Sequence, residues 1–235
     1  MKFIAIGPMY NEGERAFHVI KRFPAGLVDE VVVVNDASTD GWEKRLAAEG
    51  ITLLSMKKRS GPGTAIRAGI DYGLKKGCDG FVIFATNGKD NPEEIPRLLK
   101  PLEEDRADFV QGSRYVPGGS WANMPFHRIW GIKVFSFLLS LFMGRKILDG
   151  TNGFRAIRSN VLQDSRVNLW QDWLDGYPLE TYLFVQAIRL GYRVEEVPVT
   201  KTYPPTKKNY TKMKPLRDWW NYFKPIPYLK LGLRK

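Results

Sequence analysis

The sequence predicts an α/β fold in which helices flank a mostly parallel central sheet. Three short runs of β-branched and apolar residues, at 3–6, 31–34 and 81–84, each end in a cluster of polar residues. Strand-like and helix-like segments also alternate through the first half of the chain, which is typical of parallel strands joined by helices. Ligands bind outside the carboxyl ends of such strands, so we expect a binding crevice at that edge of the sheet.

The remaining elements follow from apolar periodicity and from helix start and stop signals. Further strands are expected over 51–56 and 108–112, with an edge strand over 193–199. Helices are expected over 11–23, 42–49, 64–76, 92–102, 129–143 and 180–190. Residues 61–63 are expected to interrupt the chain before a helix, and residues 201–214 to form a loop.

Composition limits the class of protein. The chain has 235 residues, of which 43% are hydrophobic, enough for one core. The single cysteine, Cys78, excludes an internal disulfide framework, and the N-terminus shows no leader pattern, so we expect a cytoplasmic location. No helix-turn-helix, zinc-finger or RNA-binding signature is present, and a nucleic-acid partner is not expected.

The positive charge is concentrated near the C-terminus. The formal net charge is +11, and residues 201–235 contain ten basic residues and one acidic residue. Aromatic residues alternate with these charges, a mixture that favours an anionic membrane surface. The alternative is a C-terminal helix that packs its aromatic side chains on the core. The apolar stretch 129–143 is too short for a comfortable transmembrane helix, so we expect peripheral membrane binding.

Four motifs, in their order and spacing, resemble the GT-A-fold glycosyltransferases of family 2, in particular the dolichyl- and polyprenyl-phosphate mannose synthases. They are Pro8-Met9-Tyr10-Asn11-Glu12, the valine run into Asn35-Asp36-Ala37-Ser38-Thr39-Asp40-Gly41, Gly112-Ser113-Arg114-Tyr115, and Asp149-Gly150-Thr151-Asn152-Gly153-Phe154-Arg155. The resemblance implies a Rossmann-like GT-A domain over 1–200, with a nucleotide-binding half over 1–112 and an acceptor half over 113–200. The basic, aromatic segment 201–235 is expected to pack on the same domain.

The resemblance also implies a reaction. A sugar passes from a GDP- or UDP-sugar to a polyprenyl phosphate or another membrane-associated acceptor, by inversion in one displacement. Residues that match the family's nucleotide-sugar contacts are Pro8, Tyr10, Glu12, Asn35, Asp36, Ser38, Asn87 and Lys212. The Asp36 carboxylate can accept a base N–H or a ribose hydroxyl. Asn35 departs from the family, which usually has two aspartates here, and a plain capped turn is the alternative.

The third polar cluster departs most from the family. Similar enzymes hold a divalent metal with Asp-x-Asp and a following Gln, at the positions of Ala85, Asn87 and Lys89. Because Mg²⁺ and Mn²⁺ prefer anionic oxygen ligands, an ammonium here would repel them. One hypothesis is that Lys89 replaces the metal, so that no cofactor is expected. A second is that Asp90 binds Mg²⁺ or Mn²⁺. A third is an inactive, non-catalytic nucleotide-sugar-binding module.

Acceptor binding is assigned to the second half of the chain. Residues that match basic positions of the family are Arg114, Arg128, Lys133 and Arg155. Convergent cations would bind a lipid phosphate well. Ordinary structural roles are the alternatives for two of them: an internal ion pair for Arg155 and a solvent-exposed helix lysine for Lys133.

Glu180 is a candidate catalytic base. A phosphate acceptor is already anionic and needs no base, whereas a sugar hydroxyl would need a carboxylate to take its proton. A soluble or saccharide acceptor, with Glu180 as base, is therefore the alternative to the lipid phosphate.

Overall fold

The structure is a computed structural model that describes residues 1–204, 217–230 and 232–233. Within these residues, a seven-stranded sheet has the order β3-β2-β1-β4-β7-β5-β8, and β6 pairs with β9 in a separate two-stranded sheet. The strands are β1 (Phe3–Met9), β2 (Glu30–Asn35), β3 (Thr52–Ser55), β4 (Gly80–Ile83), β5 (Phe109–Ser113), β6 (Ser120–Ala122), β7 (Arg155–Arg158), β8 (Val194–Pro198) and β9 (Thr200–Thr202).

The central strands are buried because they consist almost entirely of apolar residues. Ile4 and Ile6 of β1 and Val32 and Val34 of β2 are fully buried, as is Phe81 of β4. β1 runs parallel to β2 and β4, and only β7 is antiparallel to its neighbours within the main sheet. The carboxyl ends of β1, β2 and β4 therefore meet at one edge, as the sequence predicted.

Helices cover both faces of the main sheet. They are α1 (Gly13–Ile20), α2 (Glu43–Ala47), α3 (Pro62–Lys75), α4 (Ile95–Glu103), α5 (Phe126–Met143), α6 (Ser159–Gln163), α7 (Pro178–Arg189), α8 (Arg217–Phe223) and α9 (Pro225–Lys230). A 3-10 turn over Pro92–Glu94 precedes α4. One apolar cluster joins β1, β2 and β4 to α3, α5 and α7, and a second joins the other face to α4.

Most predicted elements are confirmed to within a few residues, including the edge position of β8. The predicted break at 61–63 is confirmed at Gly61 but is wrong for Pro62 and Gly63, because Pro62 occupies the first turn of α3, where its missing N–H is tolerated. The predicted loop from residue 201 is wrong at its start, because Lys201 and Thr202 belong to β9. Residues 205–216 of that loop lie outside the described residues. β6 and β7 were not predicted.

The helix α5 is longer than expected. Its 18 residues begin at Phe126, and by length and composition it could cross a membrane, which corrects the expectation that it is too short. Ile132, Phe135 and Leu139 are buried against the core. A stripe on another side of the helix is exposed: Phe126 (73%), Trp130 (56%), Val134 (54%), Phe137 (68%) and Leu141 (72%). The helix thus packs on the domain along one side and presents an apolar stripe to its surroundings.

The C-terminal helices α8 and α9 pack on the domain. Tyr222, Ile226 and Leu229 are buried in the main core cluster, while Trp220 remains 55% exposed. The expected packing of aromatic side chains on the core is therefore confirmed for Tyr222.

Candidate active site

A cleft of about 380 Å³ lies at the carboxyl ends of β1, β2 and β4, within the size range of small-ligand sites. Its walls bring together many of the residues selected from the sequence: Pro8, Tyr10, Glu12, Asp36, Asn87, Lys89, Arg114, Arg128 and Glu180. Selected residues that do not line it are Asn35, Ser38, Asp90, Lys133 and Arg155. Lys212 lies outside the described residues.

Asp36 connects the end of β2 to the start of α3 by hydrogen bonds. Its two carboxylate oxygens accept the backbone N–H groups of Ser60 and Gly61, at 2.7 and 2.8 Å. Gly61 has φ of +103°, and a Cβ there would lie 2.5 Å from the Asp175 carbonyl oxygen, so glycine is required. Asp36 therefore shapes this wall of the cleft, and its contact with the nucleotide stays a prediction.

Asn35 and Ser38 order the neighbouring loop rather than facing the cleft. The Asn35 Oδ1 atom accepts the Ser38 N–H at 2.9 Å, and the Asn35 amide donates to Glu43. The Ser38 hydroxyl accepts the Asn11 N–H at 2.9 Å. Because these polar groups are already used within the loop, the expectation of direct nucleotide contact by Asn35 and Ser38 is corrected to a supporting role.

Arg59 is a cleft residue that the sequence analysis missed. Its guanidinium carbon lies 4.0 Å from the centre of the Tyr10 ring, a cation–π geometry. The signal in the sequence was the basic run Lys57-Lys58-Arg59 directly before the glycine-containing start of α3.

Lys89 lies in the wall of the cleft, in a strongly cationic environment. Its Nζ atom is 5.5 Å from the centre of the Tyr203 ring. Burial, together with the neighbouring charges of Lys201 and Arg128, lowers the pKa of Lys89 to about 8, while Glu12 and Asp90 act in the opposite direction. The ammonium therefore sits where an arriving anion would be strongly favoured.

Tyr203 is the aromatic centre of this cationic cluster, and no motif in the sequence pointed to it. The Cζ atom of Arg128 is 5.4 Å from the Tyr203 ring centre, and Arg114 Nη1 donates to the Tyr203 hydroxyl at 3.1 Å. The Tyr203 side chain is 1% exposed, so its ring is a fixed surface for the lysine and the arginine.

Asp90 is not placed to act as a metal ligand or a catalytic group. It is 2% exposed, its Oδ1 atom accepts a hydrogen bond from Lys201 Nζ at 2.6 Å, and its Oδ2 atom accepts the Ala85 N–H at 2.8 Å. Both oxygens are therefore occupied within the fold, which corrects the role expected for Asp90.

Two of the four basic residues that were expected to bind the acceptor, Arg155 and Lys133, do not line the cleft. Arg155 is buried and donates to the backbone oxygens of Glu180 and Asn152, and burial lowers its pKa. Lys133 is exposed on α5, with Nζ 5.8 Å from the Trp130 ring centre. The acceptor roles of Arg155 and Lys133 are corrected accordingly.

Arg114 lines the cleft, but its guanidinium forms an internal ion pair with Asp149. Its Nε and Nη2 atoms donate to the two oxygens of Asp149, at 2.6 and 2.7 Å. Burial alone would lower the pKa of Arg114, but the Asp149 carboxylate raises it above its usual value. With Arg114 neutralised in this way, Arg128 is the stronger candidate for binding an acceptor anion.

Glu180 reaches the cleft from the first turn of α7. Burial raises its pKa, and the charges of Arg155 and Lys201 partly oppose this increase. A Cβ on Gly153 would lie 2.4 Å from Glu180 Oε1, so the glycine makes room for the carboxylate. A carboxyl group with a raised pKa in a cleft is a suitable proton acceptor near neutral pH.

The chain is similar in sequence to proteins of known function. Residues 5–166 match the model of the family described as glycosyl transferase family 2. The chain belongs to glycosyl transferase family 2. It is 35% identical to undecaprenyl-phosphate mannosyltransferase of Micrococcus luteus over 210 residues, which are 85% of this chain and 83% of that protein. It is 34% identical to polyprenol monophosphomannose synthase of Mycolicibacterium smegmatis over 206 residues, which are 85% of this chain and 77% of that protein.

The fold of this family 2 member is that of the GT-A glycosyltransferases. Glucosyl-3-phosphoglycerate synthase of Mycobacterium tuberculosis, solved with Mn²⁺ and UDP-glucose, superimposes with a TM-score of 0.72 at 20% identity. The match covers 100% of this chain and 80% of that one.

The residues of this family 2 chain do not fit a divalent cation at the expected position. The three positions are Ala85, Asn87 and Lys89, which together provide an amide and an ammonium but no carboxylate. Among the described residues, no group of three or more His, Cys, Asp or Glu side chains could hold a metal ion. The donor set here is suited to binding an anion directly.

Lys89→Met should weaken the binding of UDP or GDP about 10- to 100-fold, because a charge-assisted hydrogen bond is lost. The same variant should stabilise the ligand-free protein by about 1 to 3 kcal/mol at pH 7, since burying the charged amine opposes folding. That gain should shrink between pH 8 and pH 10.5, as the wild-type amine becomes neutral in the folded state and then in the unfolded state. Calorimetric titration and chemical denaturation measure the two effects.

Lys100→Met is the matched control for Lys89→Met. The Lys100 side chain is 69% exposed on α4, so neither binding nor the free energy of unfolding should change appreciably. Equal nucleotide affinity in Lys89→Met and wild type would contradict the role assigned to Lys89.

Proposed function

We propose that this chain transfers a sugar from a nucleoside-diphosphate sugar to a polyprenyl phosphate at a membrane surface, with Lys89 in place of a bound cation. An oxygen of the acceptor phosphate bonds to the anomeric carbon, while the bond from that carbon to the donor β-phosphate oxygen breaks. The electron pair leaves with the nucleoside diphosphate, and the configuration at the anomeric carbon inverts. The relatives named above, as mannosyltransferases of lipid phosphates, support this assignment.

The donor occupies the part of the cleft between the ends of β1, β2 and β4. Tyr10 and Arg59 provide a flat surface for the base, and Asp36 with the first turn of α3 forms the floor beside the ribose. Lys89 then faces the diphosphate, and its ammonium stabilises the charge that develops on the leaving oxygen. A fixed ammonium needs no reorganisation during the reaction, which is the advantage of a pre-positioned charge.

The single observation that carries the lipid-phosphate assignment is that one helix combines a cleft arginine with an exposed apolar stripe. Arg128, in the first turn of α5, lines the cleft. Trp130, Val134 and Phe137 follow it on the outer surface of the same helix. A phosphate held by Arg128 would therefore leave its hydrocarbon chain next to apolar side chains and the membrane. We propose peripheral binding at the cytoplasmic face of a membrane through this stripe.

Turnover should persist in EDTA, because the charge that offsets the diphosphate belongs to the protein. The measurement is release of UDP or GDP from a matching nucleotide sugar and polyprenyl phosphate, with EDTA or with Mn²⁺ or Mg²⁺. Loss of turnover in EDTA and recovery with Mn²⁺ would contradict replacement of the metal by Lys89. Binding of the nucleotide sugar without release of nucleoside diphosphate under any of these conditions would instead indicate a non-catalytic binding module.

A saccharide acceptor is a second candidate, favoured by the raised pKa of Glu180 in the cleft. Glu180→Gln separates the two acceptors. With a phosphate acceptor, kcat should fall less than about 10-fold, because no proton is removed from the nucleophile. With a hydroxyl acceptor, kcat should fall about 100- to 10,000-fold, the usual contribution of a general base. Steady-state kinetics on the accepted substrate measure the difference.

The exposed stripe of α5 should bind the protein to vesicles. Sedimentation with vesicles containing anionic lipid should retain the wild-type protein and release the double variant Trp130→Ser, Phe137→Ser. Trp170→Ser is the matched control, because Trp170 is also exposed, at 62%, but lies outside α5. Equal vesicle binding by the stripe variant and the control would contradict this membrane contact.

A further inference from the structure

A second lysine, Lys201, lies beside Lys89 and was not part of any motif in the sequence. It belongs to β9 and lines the cleft, although the residue is only 8% exposed. Its Nζ atom donates to Asp90 Oδ1 at 2.6 Å and to Asn152 Oδ1 at 2.9 Å. An ammonium has three N–H donors, so one remains after the two contacts that the described residues provide.

We propose that Lys201 is the second fixed positive charge of the diphosphate subsite, held in place by Asp90 and Asn152 and acting alongside Lys89. This inference rests on the proposed function, since it concerns the same donor cleft. Its ligand class is a pyrophosphoryl group, whose two phosphates can be contacted by two separate ammonium groups. A single lysine is a point charge and cannot bridge two phosphates as a divalent ion does.

Backbone contacts fix the two lysines next to each other. The Thr202 N–H donates to the Lys89 carbonyl oxygen at 3.0 Å, and Asp90 forms an antiparallel β-bridge with Lys201. The segment that carries Lys201 is therefore joined directly to the segment that carries Lys89. The mutual proximity of their charges is also visible in the pKa of Lys89, which the charge of Lys201 lowers.

The buried pair of Asp90 and Lys201 is weak evidence of a purely stabilising role. Removing two charges from water carries a large desolvation penalty, and well-packed apolar residues often stabilise a fold at least as well as a buried ion pair. The pair also lies beside further cations, since the charges of both Lys201 and Arg128 act on Lys89. A cluster of cations in a cleft suits an anionic ligand.

Lys201 also acts on a second ionisable group of the cleft. Burial raises the pKa of Glu180, which lies on α7, and the charge of Lys201 opposes that rise. The Lys201 ammonium therefore interacts electrostatically with both Lys89 and Glu180, which line the same cleft.

The test compares diphosphate binding between a variant that removes both charges of the pair and a variant that keeps the Lys201 charge. Lys201→Met alone leaves the Asp90 carboxylate buried without its partner and can fail to fold, so the main variant is Asp90→Asn, Lys201→Met, which removes both charges. Titration calorimetry in EDTA measures binding of inorganic pyrophosphate, UDP and GDP. We expect affinity to fall about 10- to 100-fold in the double variant and less in Asp90→Asn, which keeps the Lys201 charge. Lys100→Met is the surface control.

A second readout tests the electrostatic coupling between Lys201 and Lys89. Binding of UDP or GDP by the wild type should weaken as pH rises through about 8, where Lys89 loses its proton. The groups that act on that pKa are Lys201, Arg128, Glu12 and Asp90, and the effect of Lys201 exceeds the effect of Asp90. The double variant should therefore move the midpoint to higher pH.

The outcomes distinguish this inference from the proposed function. Wild-type protein that binds none of the three ligands would overturn both. Wild-type binding with unchanged affinity in the double variant, whatever its pH midpoint, would overturn the role of Lys201 alone and would leave the buried pair as a structural feature.

Discussion

The arrangement of the cleft depends on the ion pair between Asp90 and Lys201. One Asp90 oxygen accepts the N–H of Ala85 at the end of β4, and the other holds Lys201 on β9 at 2.6 Å. This contact joins the sheet edge that faces the donor to the strand that precedes Tyr203. Tyr203 in turn provides the buried ring beside which Lys89 and Arg128 lie, at 5.5 and 5.4 Å from its centre. The pair is therefore linked, through the segment that carries Tyr203, to both Lys89 and Arg128.

A site built from lysines has consequences that a metal site does not have. A metal ion binds only to the folded site, whereas a partly buried ammonium opposes folding whenever it is charged, which is the meaning of the low pKa of Lys89. The aromatic ring of Tyr203 and the nearby carboxylates offset part of this unfavourable free energy of burying the charged amine. Under the proposed function, the site in return needs no ion from solution. Such a balance is typical of functional sites, where residues with perturbed pKa values often lower the stability of the whole protein.

The sequence predicted the sheet and the position of Lys89 well, for a local reason. Apolar runs define buried strands, and the polar residues directly after them must lie at the strand ends. The sequence was a poor guide to the role of a residue wherever that role depends on partners that are distant along the chain. Arg114 and Arg155 matched basic motifs, but Asp149 and the backbone oxygens of Asn152 and Glu180 hold them inside the fold. Lys201 and Tyr203 lay in a segment that looked like a loop, because a three-residue strand such as β9 has no periodicity to detect.

The central claim is that protein ammonium groups, and no metal ion, neutralise the diphosphate of the donor. The most direct measurement is a crystal structure of the protein with UDP or GDP, grown in the presence of Mn²⁺, with an anomalous difference map at the manganese edge. The account predicts no anomalous peak at the diphosphate, and the Nζ atom of Lys89 within about 3 Å of a phosphate oxygen. A manganese peak between the two phosphates, with Lys89 directed away from them, would contradict it.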